Sequence, residues 1–140
     1  MKSLVFILLF LAGLALPSAG ATVSVSISLE SGDWPQYRAD AGRSGYTPKP
    51  LPGALSLAWK YEQEPPSPAW RAVQTRMDFD YAPQPVIGWG MLFFGSSADC
   101  GIYALNAATG REMWSYFTDA PVRFAPALWK DRLFAAGDDG

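Results

Sequence analysis

Residues 105–114 read LNAATGREMW, and this stretch decides the fold. A small loop, Ala107-Ala108-Thr109-Gly110, follows an apolar Leu105 and a polar Asn106, and Trp114 stands four positions past the glycine. Glycine adopts positive φ without steric cost, so Gly110 suits a tight reversal. Asn106 and Thr109 can hydrogen-bond the backbone of the turn and so fix the register of the two flanking runs. On either side, GIYALN (101–106) and EMWSYF (112–117) are rich in aromatic and β-branched residues. They read as the two arms of a hairpin. With the register fixed, Trp114 projects from the second arm at a defined place.

Working outward, the arms belong to a larger unit. YAPQPVI (81–87) reads as a strand start, Gly88-Trp89-Gly90 as a turn, MLFFGS (91–96) as a buried strand and Ser97-Ala98-Asp99 as another turn. That makes four strands in 81–117. The pattern then restarts: YAP at 81–83 is answered by FAP at 124–126, and MLFFGS at 91–96 by LFAAGD at 133–138. The second match is offset by one position fewer than the first, so one residue is lost between them. Upstream, AWKY (58–61) is answered by MWSY (113–116). Four short strands recurring at roughly 40–45 residues is the period of a β-propeller blade. Helical repeats of similar length do not alternate in this way. The expected fold is all-β, a propeller of four-stranded antiparallel blades. A tryptophan on the outermost strand would bury ~150–250 Å² against the neighbouring blade. At about 25 cal/mol per Å² that is an upper figure of several kcal/mol of blade-to-blade adhesion.

Composition agrees. Of 140 residues, 49% are hydrophobic and only 17% charged, a globular balance. Six tryptophans sit among thirteen glycines and twelve prolines, as short strands and tight turns require. The net charge of −2 and the lack of any basic run argue against a nucleic-acid surface. There is no histidine, the commonest general base and metal ligand. The single cysteine, Cys100, can neither close a disulfide within the chain nor build a thiolate cluster.

The stretch 1–21 reads as an address. Lys2 precedes an apolar run from Leu4 to Leu16, and Ala19-Gly20-Ala21 fits the small-x-small cleavage rule, with cutting expected after Ala21. The run of about 13 residues is short of the roughly 20 that span a bilayer, so no membrane span is expected once it is removed. The mature chain is expected in the periplasm or outside the cell. A leader and strap follow over 22–54. Within it 33–53 is dense in Pro and Gly, which block helix interiors and central strands, and Trp34 and Tyr37 read as its apolar anchors. LSLAWKY (55–61) alternates like a strand, and 62–80 is a long polar insertion.

ALNAATGREMW (104–114) resembles the repeat of the pyrroloquinoline-quinone (PQQ) propellers, A-x-D-x-x-T-G-x-x-x-W. Ala104, Thr109, Gly110 and Trp114 match, and Asn106 stands where the pattern has Asp. DWPQYRADAGRSG, PVRFAP and GDDG also resemble large secreted bacterial PQQ-like repeat proteins. The family includes quinoprotein alcohol dehydrogenases and the BamB-like outer-membrane assembly factors, both typically eight-bladed. The resemblance covers about 33–140 and implies that 55–61 is an outermost strand closing the ring, with Trp59 the counterpart of Trp114. It also implies that 81–117 is the first full blade and 122–140 the start of a second, the chain holding about one and a half blades of a ring of several hundred residues.

Candidate sites are read against plainer alternatives. Asp138 and Asp139 could hold Ca²⁺, but Asp-Gly at this place is ordinary hairpin chemistry and the turn is favoured. Asp78 and Asp80 in the insertion are read as solvated loop charges rather than acid/base groups. The dehydrogenases carry adjacent disulfide-bonded cysteines beside the cofactor. Cys100 alone reads as a free, half-buried thiol, and no stretch matches their Glu, Asn and Asp ligands. PQQ with Ca²⁺ is therefore expected only if such ligands lie elsewhere. Trp70, Trp89, Trp129 and Arg123 lie near loop or strand ends; blade packing is favoured over a peptide- or sugar-gripping surface. The 62–80 insertion is the favoured partner-binding element, because long loops on rigid scaffolds often carry recognition. The expected function is a monomeric, non-catalytic scaffold binding protein or polysaccharide through its loops.

Overall fold

The computed structural model describes residues 27–63, 65 and 83–140, and these are all-β, with no helix among them. Six strands follow in order: β1 (Val86–Gly88), β2 (Met91–Gly95), β3 (Gly101–Asn106), β4 (Glu112–Phe117), β5 (Ala127–Trp129) and β6 (Arg132–Phe134). The first four form one antiparallel sheet in sequence order, and the last two form a separate hairpin. β3 and β4 fall on the expected 101–106 and 112–117. β1 is shorter than expected because Pro83 and Pro85 have no N–H to give a ladder, so pairing starts at Val86. The expected residues 81 and 82 lie outside the described residues.

Both faces of the sheet are apolar. On one, Val86, Phe93, Ile102 and Ala104 pack with Val122 and with Leu128 and Leu133 of the second hairpin, and Trp114 and Tyr116 lie against them. On the other, Phe94, Tyr103 and Leu105 are covered by Trp59, Tyr61 and Leu92. Phe94 and Tyr103 are cross-strand partners whose rings stack at 5.2 Å. A sheet with two greasy faces is stable only as a middle layer, so both the second hairpin and the 59–61 segment belong to its folding unit.

β1 and β2 turn through Trp89-Gly90, with φ of 57° and 72°. Two consecutive left-handed residues make the reversal that matches strand twist. Trp89 tolerates this conformation because its ring is held edge-on against Phe93, 5.8 Å away.

The second hairpin corrects the repeat alignment. Ala127 pairs with Phe134 as Val86 pairs with Phe93, so 127 answers 86 and 134 answers 93. Both strands thus share one offset, and it is shorter than that of either sequence match. Pro126 takes the place of Pro85. Trp129 is the last residue of β5, level with Gly88, whereas Trp89 is in its turn, so the two tryptophans are not equivalent.

The strand expected at 55–61 is not formed among the described residues: no backbone–backbone hydrogen bond involves it. Of its four alternating apolar residues, Trp59 and Tyr61 cover the sheet face while Leu55 and Leu57 stay 75% and 85% exposed. Of the strap's two expected apolar anchors, Trp34 is held through its main chain. Trp34 forms a bridge with Ile87, whereas Tyr37 is exposed, with the Arg43 guanidinium 5.9 Å from its ring, and the small Ala39 is buried instead.

Candidate functional site

The Asn106–Gly110 turn is built largely from its own polar groups. The Asn106 side-chain oxygen accepts from the backbone N–H of Ala108 and of Thr109, each at 3.0 Å, and from the Thr109 hydroxyl at 3.0 Å. Gly110, at φ 70°, donates to the Asn106 carbonyl at 2.8 Å. All three side-chain bonds need only an acceptor, so asparagine does here what an aspartate would. Ala107 N–H reaches the Gly90 carbonyl at 2.9 Å and ties this turn to the β1–β2 turn.

The Ala107 carbonyl is taken by Trp59, whose indole N–H donates to it at 3.0 Å. The ring lies directly on Gly110, so close that a Cβ there would stand 2.5 Å from Cε3. A bare backbone is what lets a flat ring approach. Tyr61 follows on the same side, its hydroxyl donating to Glu112 at 2.9 Å.

Trp114 faces the opposite way. The β3–β4 register pairs Ala104 with Trp114 but Leu105 with Glu112, leaving Met113 as an extra residue. This bulge puts Glu112 on the Tyr61 side and turns Trp114 onto the other face, beside Phe93 at 5.9 Å. The indole nitrogen of Trp114 is buried and has no hydrogen-bond partner among the described residues. Trp59 and Trp114 thus lie on opposite faces of one sheet, the first with its nitrogen bonded and the second without.

At the far end of the sheet, loop residues 96–100, 118–126 and 138–140 gather. Arg123 Nε contacts Asp138 Oδ2 at 2.7 Å with both side chains largely covered, and Arg123 lies 5.2 Å from the exposed Phe124 ring. Asp138 N–H donates to the Pro121 carbonyl, and Gly140 N–H to that of Gly137, so the GDDG stretch is a turn clamped by an ion pair. Asp99 accepts from the Tyr103 hydroxyl and the Gly101 N–H. Burial pushes its carboxyl up, but the bonds from Ser96, Tyr103 and Gly101 outweigh that and hold it below the usual range.

Cys100 is a free thiol of intermediate exposure, with φ 61°. Its carbonyl receives the N–H and hydroxyl of Thr118 at 2.9 and 2.8 Å. Burial, with Asp99 and Asp139 nearby, pushes the thiol up, the opposite of a reactive cysteine. Trp89 belongs to the core, while Trp129 is 58% exposed with the Lys130 ammonium 4.2 Å from its ring. Trp70, Asp78, Asp80 and most of the 62–80 insertion lie outside the described residues, as do Ala19 and Ala21. Among the described residues no group of three or more His, Cys, Asp or Glu comes together to hold a metal, and no helix is long and apolar enough to cross a membrane.

The Met113 bulge and the Arg123–Asp138 clamp escaped the sequence reading. Met113 carries no turn or bulge signal, and Arg123 and Asp138 are well separated along the chain. No family model, curated protein or solved structure matches the chain.

Proposed function

We propose that this chain is part of an exported PQQ-like β-propeller that serves as a non-catalytic scaffold, binding a protein or polysaccharide through its loops. The observation that carries the reading is the seat of Trp59: an indole flat on Gly110, its N–H on the Ala107 carbonyl. Trp59 is followed by Lys60-Tyr61 as Trp114 is by Ser115-Tyr116. One such ring already cements a neighbouring segment to the sheet, and the unbonded indole of Trp114 on the opposite face fits the same use against a following unit. Segment 55–61, with its backbone bonded to no strand, fits an outer strand of an adjoining blade. The 1–21 stretch supplies the export reading.

The scaffold reading is favoured over a quinoprotein dehydrogenase by the donor set. Cys100 is the single cysteine, burial pushes its thiol up, and the Asp138 and Asp99 carboxylates are engaged by Arg123 and Tyr103 respectively. The test is to express the complete gene product, incubate it with PQQ and Ca²⁺, and measure cofactor retained after gel filtration together with dye-linked alcohol oxidation. No retention and no oxidation are expected. Stoichiometric retention with turnover replaces the scaffold by the dehydrogenase.

A further inference from the structure

The strap does more than lie on the surface, because at Trp34-Pro35 it is bonded to two sheets at once. Trp34 N–H donates to the Ile87 carbonyl at 2.7 Å and Ile87 N–H returns a bond to the Trp34 carbonyl at 2.8 Å, on β1. One residue on, the Pro35 carbonyl accepts from Leu128 N–H at 2.7 Å, on β5. Proline has no N–H, so the chain crosses from one sheet to the other without stranding a donor. The approach is fixed by a turn in which Asp33 N–H reaches the Glu30 carbonyl at 3.1 Å and Glu30 N–H reaches the Asp33 carboxylate at 2.8 Å. Leu29, just before it, packs into the core shared by the two sheets. Strap, β1 and β5 converge on Gly88: a Cβ there would stand 2.5 Å from Leu128 Cδ1, 2.8 Å from Leu29 Cδ2 and 3.5 Å from Asp33 Oδ2.

We infer that β1 and β5 together form a binding groove for an extended segment, occupied in cis by Asp33-Trp34-Pro35, which fastens the two sheets at their first strands and closes both edges to any other strand. Main-chain bonds supply the attachment, as when a peptide adds to a sheet edge, and Leu29 supplies a side-chain anchor. The contacts stand without the ring. Only the further placement rests on the propeller reading: if β1 and β5 are innermost strands, the strap lies along the wall of the central opening and narrows it.

Amide hydrogen exchange tests the clasp, read by NMR on the unaltered chain and on Trp34→Pro, which removes the N–H that Trp34 gives to Ile87. In the unaltered chain, Ile87 and Leu128 N–H are both expected to exchange at least about tenfold more slowly than in an unstructured peptide. Unprotected exchange at both, in a chain whose β2–β3 amides are protected, overturns the inference without recourse to any variant. In Trp34→Pro, Ile87 and Leu128 are expected to lose protection together while β2–β3 amides keep theirs. Loss at one without the other, or at neither, overturns it. If the scaffold reading fails instead, PQQ is retained by the complete gene product while the exchange pattern at Ile87 and Leu128 is unaltered.

Discussion

Trp59 and Gly110 are far apart in sequence and in van der Waals contact in space, the indole plane lying where any side chain at 110 would have to be. The glycine is therefore required twice, once for its left-handed backbone and once for the ring above it. Gly90 has nearly the same φ, 72°, but nothing within 4 Å of its missing Cβ.

That pair of glycines makes a controlled comparison. Gly90→Ala should destabilise the chain by about 1 kcal/mol, the backbone term alone. Gly110→Ala should lose about 2–4 kcal/mol, backbone plus overpacking against the indole. Urea unfolding of both measures the difference. In a Trp59→Ala background Gly110→Ala should fall back towards the Gly90→Ala figure, a coupling of about 1–3 kcal/mol. Equal losses at the two glycines in the parent chain would show that the ring does not sit there.

Replacing Trp59 by Phe keeps a ring on Gly110 but removes the donor to the Ala107 carbonyl. A loss of about 1 kcal/mol is expected, the net worth of one hydrogen bond. The amide of Ala107, bonded to Gly90, should stay protected from exchange.

Two ion pairs differ in setting and should differ in effect. Asp138→Asn breaks a largely covered contact with Arg123 and should cost about 1–2 kcal/mol. Glu62→Gln removes the partner of Lys60 in a pair exposed by 76% and 71%, and should change stability by about 0–0.5 kcal/mol. Thermal melts in low and high salt check both.

Tyrosine ionisation should be late and unfavourable to the fold. Burial first, and then the hydrogen bond to Glu112, push the Tyr61 hydroxyl up to about 12 from its ordinary 10.0, and burial and Asp99 push Tyr103 up as well. The folded chain therefore holds these protons after the unfolded chain has released them. The Tyr61 contribution is complete below pH 10 and is lost as the pH rises from about 10 to 12, and that of Tyr103 is lost later still. Ultraviolet phenolate titration should show late-ionising tyrosines that become normal in urea.

The Cys100 thiol should react sluggishly. Burial and the Asp99 and Asp139 charges disfavour the thiolate, so alkylation at pH 8 should be slower than for a free cysteine peptide and should accelerate on unfolding. Faster reaction in the folded chain would point to an activated sulfur.

How far the sequence went depended on which residues carried the signal. The hairpin of β3 and β4 was legible to the residue because Asn106, Thr109 and Gly110 are turn residues whose chemistry is local. The 55–61 segment misled because its alternation carries no information on pairing: Trp59 and Tyr61 are packed on the sheet face from a segment that bonds to no described strand, while Leu55 and Leu57, in the same phase, are exposed. The repeat offset slipped because aromatic and glycine matches drew FAP onto YAP, while the ladder follows the prolines at 85 and 126. Tyr37 drew attention by size, yet it is exposed beside the Arg43 guanidinium while the compact Ala39 is buried. The double attachment of Trp34-Pro35 was beyond reach, because it depends on which two edges end up side by side.

The extra residue at Met113 decides which way the second indole looks. Were the strand to pair straight through while keeping all of 111–113, plain two-residue alternation from Glu112 would swing that indole to the side already held by Trp59 and leave the Phe93 face without its lid. One odd residue thus lets the acid that meets Tyr61 and the ring that meets Phe93 stand two positions apart and still look in opposite directions.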